Sequence, residues 1–288
     1  MNNHYLLLHE SKEPENGVLY LVGTPIGNLS DISIRAIKIL TNVSLIACED
    51  TRQTRKLMNK YQFTNKLISF NKDNSLKKTP KLIDHLRSGK SIAIVSDAGL
   101  PSICDPGEDL AREARKSGVN VVSIPGPCAA LTALTSCGFP SSKFTFEGFL
   151  PKRKSQREKI LFEISKNDKT TIIYESPRRL MNLLYELKDY CGGDREINVS
   201  RELTKKFEEN ICNNINQVIS FFESKEILGE ITLVLNGKKR VNNEIKFDEV
   251  EIKKELRELI NAGLSLSQAS KYLAKKNNLK KSIIYNLR

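Results

Sequence analysis

Three short stretches of the chain set a carboxylate beside a cation: Glu49-Asp50-Thr51-Arg52, Glu175-Ser176-Pro177-Arg178-Arg179 and Arg201-Glu202-Leu203-Thr204-Lys205. Asp50 and Ser176, the latter followed by Pro177, suit helix N-caps, and capping explains part of the pattern. It does not explain why charge pairs recur at successive strand ends, an arrangement that a cleft handling a polyanion would use. Three other stretches are rich in turn formers: Gly23 to Asn28, Ser96 to Gly107, and Pro125-Gly126-Pro127 opening into Cys128, Ala129 and Ala130. Such loops offer backbone N–H and C=O groups, which suits a small neutral or cationic ligand held by main-chain contacts. None carries a GK[ST] or GxGxxG pattern, so a nucleoside triphosphate or dinucleotide site is not supported. The six cysteines form no CxxC pair and the three histidines are His4, His9 and His85. Zinc spacing is therefore absent, no metal is expected, and Ser/His or Cys/His chemistry is disfavoured.

These loops need elements to hold them. From Gly17 onward, short β-branched runs alternate with amphipathic segments, the pattern of βα units on a mainly parallel sheet. Strands are predicted over 18–22, 44–49, 67–70, 91–96 and 119–124, with helices over 32–40, 51–61, 80–87, 108–117 and 128–137. A linker-like stretch, 139–151, leads to a second alternation: helix 155–165, strand 170–175, helix 177–190, strand 196–202, helix 215–224 and strand 230–235. These polar loops follow strands, where ligands bind in open α/β sheets. Beyond Asn236 short helices are predicted over 249–261, 265–276 and 280–287, the middle one opened by a Ser265/Gln268 capping box. The resulting division is a flexible leader (1–16), an α/β lobe (17–138), the linker (139–151), a second α/β lobe (152–237) and a helical tail (238–288).

The length of 288 residues fits about two α/β units. No apolar run approaches a membrane span, and the N-terminus has neither a basic n-region nor a cleavage site, so a cytoplasmic protein is expected. The net charge of +12 is uneven: residues 238–288 hold 13 basic against 6 acidic residues, and Lys152, Arg153, Lys154, Arg157 and Lys159 cluster around the single Glu158. Basic patches of this kind attract polyanions.

Taken in order, the motifs TPIGN (24–28), EDTRQTRKL (49–57), SDAGLPSICDPG (96–107), PGPCA (125–129), FEGFLP (146–151), YESPRR (174–179) and RELTK (201–205) closely resemble the ribosomal RNA small subunit methyltransferase I family of the tetrapyrrole methylase superfamily. The resemblance covers residues 17–235 and extends to the helical tail. It implies an α/β fold of two lobes with S-adenosyl-L-methionine (AdoMet) in the cleft between them. It also implies a homodimer, and 2′-O-methylation of a cytidine ribose in the decoding region of small-subunit rRNA, as naked RNA or an assembled subunit. By motif, Gly99, Leu100, Pro101 and Ile103 would cradle AdoMet, Pro25 would line the floor, and Pro125, Gly126, Cys128 and Ala129 would approach it. Tyr174, Ile231 and Thr232 would reach the adenine. The chain departs from the family at Leu100 (usually Thr), Cys104 and Cys128 (usually Ser) and Arg179 (usually His).

Methyl transfer to a hydroxyl requires a proton acceptor, for which the strand ends offer Asp50, Glu175, Glu202 and Lys205. Arg52, Arg55, Arg178 and Arg201, with Lys152 and Arg153, are expected to hold RNA phosphates. Two alternatives stay open: a porphyrinoid methyltransferase of the same superfamily, and a non-catalytic ribosome-associated RNA-binding protein.

Overall fold

A computed structural model describes residues 12–239, 249–277 and 279–287. His4, His9 and most of the expected leader lie outside them. Residues 13–15 are tied down: Arg35 pairs with Glu13, and the Glu15 N–H donates to the Tyr20 hydroxyl at 2.8 Å.

The first sheet comprises β1 (Leu19–Val22), β2 (Leu45–Cys48), β3 (Leu67–Ser69), β4 (Ile92–Val95) and β5 (Val121–Ile124), all parallel in the order β3-β2-β4-β1-β5. Its strands are apolar on both faces because helices cover both. Val18, Tyr20, Val22, Ile46 and Val95 face one core with α1 (Ile34–Asn42) and α2 (Thr51–Tyr61). Leu19, Leu45, Ile92 and Ile94 face the other with α3 (Ser75–Arg87) and α4 (Glu108–Lys116). Two expectations shift here. Helix α1 begins after a 3₁₀ turn at Leu29–Asp31, with Ser33 as its cap. Helix α3 starts five residues before Pro80, which is housed inside it.

The second sheet is mixed, in the order β6-β7-β10-β8-β9: β6 (Phe144–Phe149), β7 (Thr170–Glu175), β8 (Glu196–Arg201), β9 (Glu209–Asn214) and β10 (Ile231–Leu235). Only β6 and β7 are parallel. The stretch expected as a linker thus contains β6, and β9 was not predicted at all. Helices α6 (Lys154–Lys166), α7 (Pro177–Cys191) and α8 (Ile215–Glu223) bury one face with Leu161, Leu180, Leu184 and Phe222. The other face is covered by α5 (Ala129–Cys137), whose Ala130, Ala133 and Leu134 pack on Ile172, Val234 and Leu203. Cover for the second sheet therefore begins at Ala129, ahead of the expected lobe boundary at 138.

Contacts divide the chain between Lys238 and Lys239. The second unit holds α9 (Glu249–Asn261), α10 (Leu266–Lys276) and α11 (Lys281–Tyr285) around a core of its own, including Ile252, Leu256, Leu273 and Ile284. Helix α10 has the expected capping box of Ser265 and Gln268. Among the described residues no helix is long and apolar enough to cross a membrane.

Candidate functional site

In the first sheet the connection from β1 runs to one side and that from β4 to the other, so the crevice beyond these two central strands is a switch point where ligands bind. The loops that follow them are clamped together. Thr24 N–H donates to Gly99 O at 2.9 Å, Gly99 N–H returns a bond to Thr24 O at 3.1 Å, and the Thr24 hydroxyl reaches Ser96 O and Gly99 O. The loop after β4 holds two non-glycine residues, Ser102 and Cys104, at positive φ between Gly99 and Gly107, which adopt it without cost; strained backbone of this kind clusters at sites. The loop after β5 closes on the first one, since Gly23 and Gly126 pack back to back and a Cβ on either would come within 2.7 Å of the other's Cα. Gly126→Ala is thus expected to destabilise the fold by about 1–3 kcal/mol. A variant that melts with the wild type in urea would show that these loops are free to part.

Together these loops and the second sheet enclose a cavity of ≈ 490 Å³, within the roughly 300–1,000 Å³ range of small-molecule sites. Of the residues expected at a cofactor, Gly99, Leu100, Ile103, Cys128, Ala129, Tyr174, Ile231 and Thr232 line it. Pro25, Pro101, Pro125 and Gly126 do not; Pro25 lines a second pocket beside it, and the other three lie in the adjoining turns. Gly99 contributes through its φ of +82° rather than through space, because an added Cβ would meet Ile26 and Pro127 only at 3.4 Å. Leu100 packs over Gly23, so its side chain supplies apolar cover there. Tyr174 stacks edge-on with Phe146 at 5.1 Å and tilts against Phe149 at 5.6 Å, while its hydroxyl accepts the Ala130 N–H at 3.1 Å. Burial raises its pKa, so it stays a neutral, largely apolar wall.

The cavity lining also includes Glu49, Asp97, Asp105, Glu175 and Glu230, without a single Lys or Arg. Glu175 and Glu230 are ion-paired, the first to Arg179 and Arg157 and the second to Lys205. Glu49, Asp97 and Asp105 form no ion pair within 4.0 Å among the described residues. Their pKa values are all raised, in each case first by burial. Glu49 is raised further by the charges of Asp105 and Asp97. One oxygen of Asp97 accepts the Asp50 N–H at 3.0 Å. Lys72, whose ammonium donates to Cys104 O at 3.1 Å, offsets part of the repulsion at Glu49 and Asp105. Unpaired carboxylates, main-chain loops and an aromatic wall suit AdoMet, a cationic sulfonium with an adenine ring.

The four expected proton acceptors fare differently. Asp50 caps α2, and hydrogen bonds from the Arg52 guanidinium and N–H hold it down to about 2. For Glu202, burial works upward, but Lys205 and the Glu230 N–H outweigh it and leave the pKa lowered. Burial works to lower Lys205, yet Glu202 and Glu230 raise it, so it remains an ammonium. Glu175 is completely buried beneath Arg179 and Arg157. None of the four is free: Asp50, Glu175 and Glu202 each have a cation on them, and Lys205 is held by two carboxylates.

The expected phosphate binders also divide. Arg52 is exposed although paired with Asp50, and Arg55 and Arg178 are exposed. Arg201 is held by Glu209 and Leu228 O. Lys152 and Arg153 are exposed ahead of α6, but their neighbour Arg157 is half-buried in an ion pair with Glu186 and leaves the basic cluster. Residues missed at the site include Ile26, Glu49, Asp97, Asp105, Phe149, Leu203, Gly229 and Glu230. Strand β10 runs antiparallel to β7 and β8, pairing Ile231 with Glu175 and Arg201. Its beginning, not its end, therefore lies with their carboxyl ends, and Ile231 and Thr232 reach the cavity from there.

Residues 18–218 match the family model described as Tetrapyrrole (Corrin/Porphyrin) Methylases, so the fold and the crevice are those of the tetrapyrrole methylase class. Among solved structures, a cobalt precorrin-4 methyltransferase superposes with a TM-score of 0.59 at 14% identity, covering 76% of this chain and 95% of that one. A uroporphyrin-III C-methyltransferase from Thermus thermophilus complexed with S-adenosylhomocysteine gives 0.54 at 15%, covering 76% and 96%. Relatives named ribosomal RNA small subunit methyltransferase I are much more similar in sequence. That of Thermotoga maritima is 47% identical, over 77% of this chain and 99% of its own. That of Bacillus subtilis is 43% identical, over 94% and 93%. The chain belongs to the ribosomal RNA small subunit methyltransferase I family.

Proposed function

We propose that this protein is a cytoplasmic enzyme that uses AdoMet to methylate the 2′-hydroxyl of a cytidine in the decoding region of small-subunit rRNA, and that it acts as a homodimer. The observation that carries the reading is the cavity at the β1/β4 switch point, whose three unpaired carboxylates and clamped main-chain loops match a cationic, adenosine-bearing cofactor. Family membership supports the RNA substrate, as does the basic excess of residues 238–288.

Gly99, Leu100 and Ile103 would hold AdoMet from the first lobe, and Phe149, Tyr174 and Ile231 would cover its adenine. Glu49 and Asp105 would balance its positive charge. When bound, it supplies an electrophilic methyl group, which the ribose oxygen takes as the methyl–sulfur bond breaks and the electron pair stays on sulfur. The hydroxyl's proton goes to Asp97. That carboxylate has one oxygen fixed by the Asp50 N–H, a pKa raised by burial, no cation paired to it and an exposed place in the crevice, which together suit a proton acceptor.

The reading is tested by incubating the protein with methyl-labelled AdoMet and either small-subunit RNA or isolated small subunits, then digesting to nucleosides. Label in 2′-O-methylcytidine is expected from one of the two. Label confined to a base, or none with either acceptor, would refute it. Sedimentation equilibrium at twice the monomer mass is expected for the dimer, and a monomer would remove that part.

A further inference from the structure

A second pocket of ≈ 360 Å³ adjoins the cofactor cavity and shares Ile26, Asp97, Ala98 and Glu230 with it. Its other lining is of different character: Thr24, Gln53, Thr54, Lys56, Ser96 and Lys205 supply hydroxyl, amide and ammonium groups. The first cavity repels an anion, whereas the second offers two cations. Lys205 is already committed to Glu202 and Glu230, while Lys56 forms no ion pair among the described residues. The hydroxyls of Thr24 and Thr54 are likewise used, on Ser96 O and Gly99 O and on Asp50 O. The Gln53 side-chain amide has no hydrogen-bond partner among the described residues, and it can donate and accept at once.

Helix geometry explains why these residues, rather than the arginines beside them, meet the pocket. At 3.6 residues per turn Gln53, Lys56 and Leu57 share one face of α2, and Leu57 and Thr54 are buried there. Arg55 falls on the opposite side, and Arg52, one turn before Lys56 at the edge of that face, is tied to Asp50 instead. The EDTRQTRKL motif thus displays arginines outward and turns a glutamine and a lysine to the pocket.

Resting on the rRNA reading above, we propose that this pocket seats the acceptor nucleoside of the RNA strand, Gln53 reading the edge of its base and Lys56 holding a flanking phosphate, with the shared wall at Asp97 the place where acceptor and cofactor meet. A side-chain amide can pair with an unstacked cytosine through its ring acceptors and amino group together, which is how single-stranded bases are read. A uracil reverses donor and acceptor at both positions, so the amide must turn over to pair with it, and the preference for cytosine rests on the seated strand holding the amide one way round.

Both residues are exposed on α2, so Gln53→Ala and Lys56→Ala should fold. Three quantities are measured: AdoMet affinity by calorimetry, single-turnover methyl transfer across a range of RNA or subunit concentration, and transfer to an acceptor with uridine at the target. Lys56→Ala is expected to raise the half-saturating acceptor concentration about tenfold, and Gln53→Ala to narrow the preference for cytidine over uridine by about tenfold. AdoMet affinity should stay within twofold of wild type in both, and Lys77→Ala, a charge-matched control on α3, should change nothing. Wild-type saturation and preference in both variants overturns the pocket assignment alone, as does a loss of AdoMet affinity that tracks the loss of transfer. A wild-type protein that methylates no small-subunit RNA overturns the functional reading, and the proposal with it.

Discussion

Asp97→Asn is expected to slow single-turnover methyl transfer about a hundredfold or more at saturating AdoMet, the usual scale for losing a positioned general base. The amide oxygen can still accept the Asp50 N–H that Asp97 accepts at 3.0 Å, so the loop should keep its shape and AdoMet affinity should fall only a few-fold. The sign of the pH effect is fixed by the environment. Burial raises the Asp97 pKa, partly offset by the Asp50 N–H, and the Asp50 charge raises it again. The wild-type rate should therefore climb with pH through this raised value and level off above it. In Asp97→Asn that limb should vanish. A variant with wild-type rate, or one that keeps the acid limb, would remove Asp97 as the proton acceptor.

Glu49→Gln combined with Asp105→Asn is expected to weaken AdoMet about tenfold, roughly 1.4 kcal/mol, while changing S-adenosylhomocysteine less than twofold. The two ligands differ by the methyl group and the sulfonium charge, so only the first gains from the carboxylates. In the wild type, AdoMet affinity should fall as pH drops through the raised pKa values of Glu49 and Asp105, and that of S-adenosylhomocysteine should respond less. The linkage for stability has the opposite sign. Folding raises these pKa values, so the charged carboxylates burden the fold above them, and the burden lifts as pH falls through them. Amides remove it at any pH, so the ligand-free double variant should melt about 1–3 °C higher than wild type. Equal losses for both ligands, or a lower melting temperature, would contradict an electrostatic role.

Much of the first sheet was legible because buried parallel strands are short apolar runs closed by Gly, Pro or Asp, as in Ile92–Val95 before Ser96-Asp97. The second sheet was harder to read. Strand β6 shifts register between Phe146 and Gly148, and Gly148 has φ +61°, so the alternation a strand should show breaks in its middle. Strand β9, Glu209–Asn214, is mostly Asn and Glu and exists by pairing along β8, a tertiary effect that local propensity does not carry. The loops after β1, β4 and β5 were found through turn chemistry and strand ends. The decisive carboxylates were harder to rank: Glu49 stands beside Asp50 in one motif, Asp97 and Asp105 stand in another, and only the fold reveals that Asp50 is ion-paired to Arg52 while they carry no ion pair among the described residues. Gly229 and Glu230 were invisible because an antiparallel strand brings its first residues, not its last, to the crevice.

Ribose methylation at single-nucleotide resolution tests the whole account most directly. Small-subunit rRNA is purified from cells with the gene, without it, and with the gene carrying Asp97→Asn, and each RNA is mapped by mass spectrometry. One 2′-O-methylcytidine in the decoding region should be present in the first and lost from the other two. The same methylation pattern in all three RNAs would contradict the assignment of this chain to that modification.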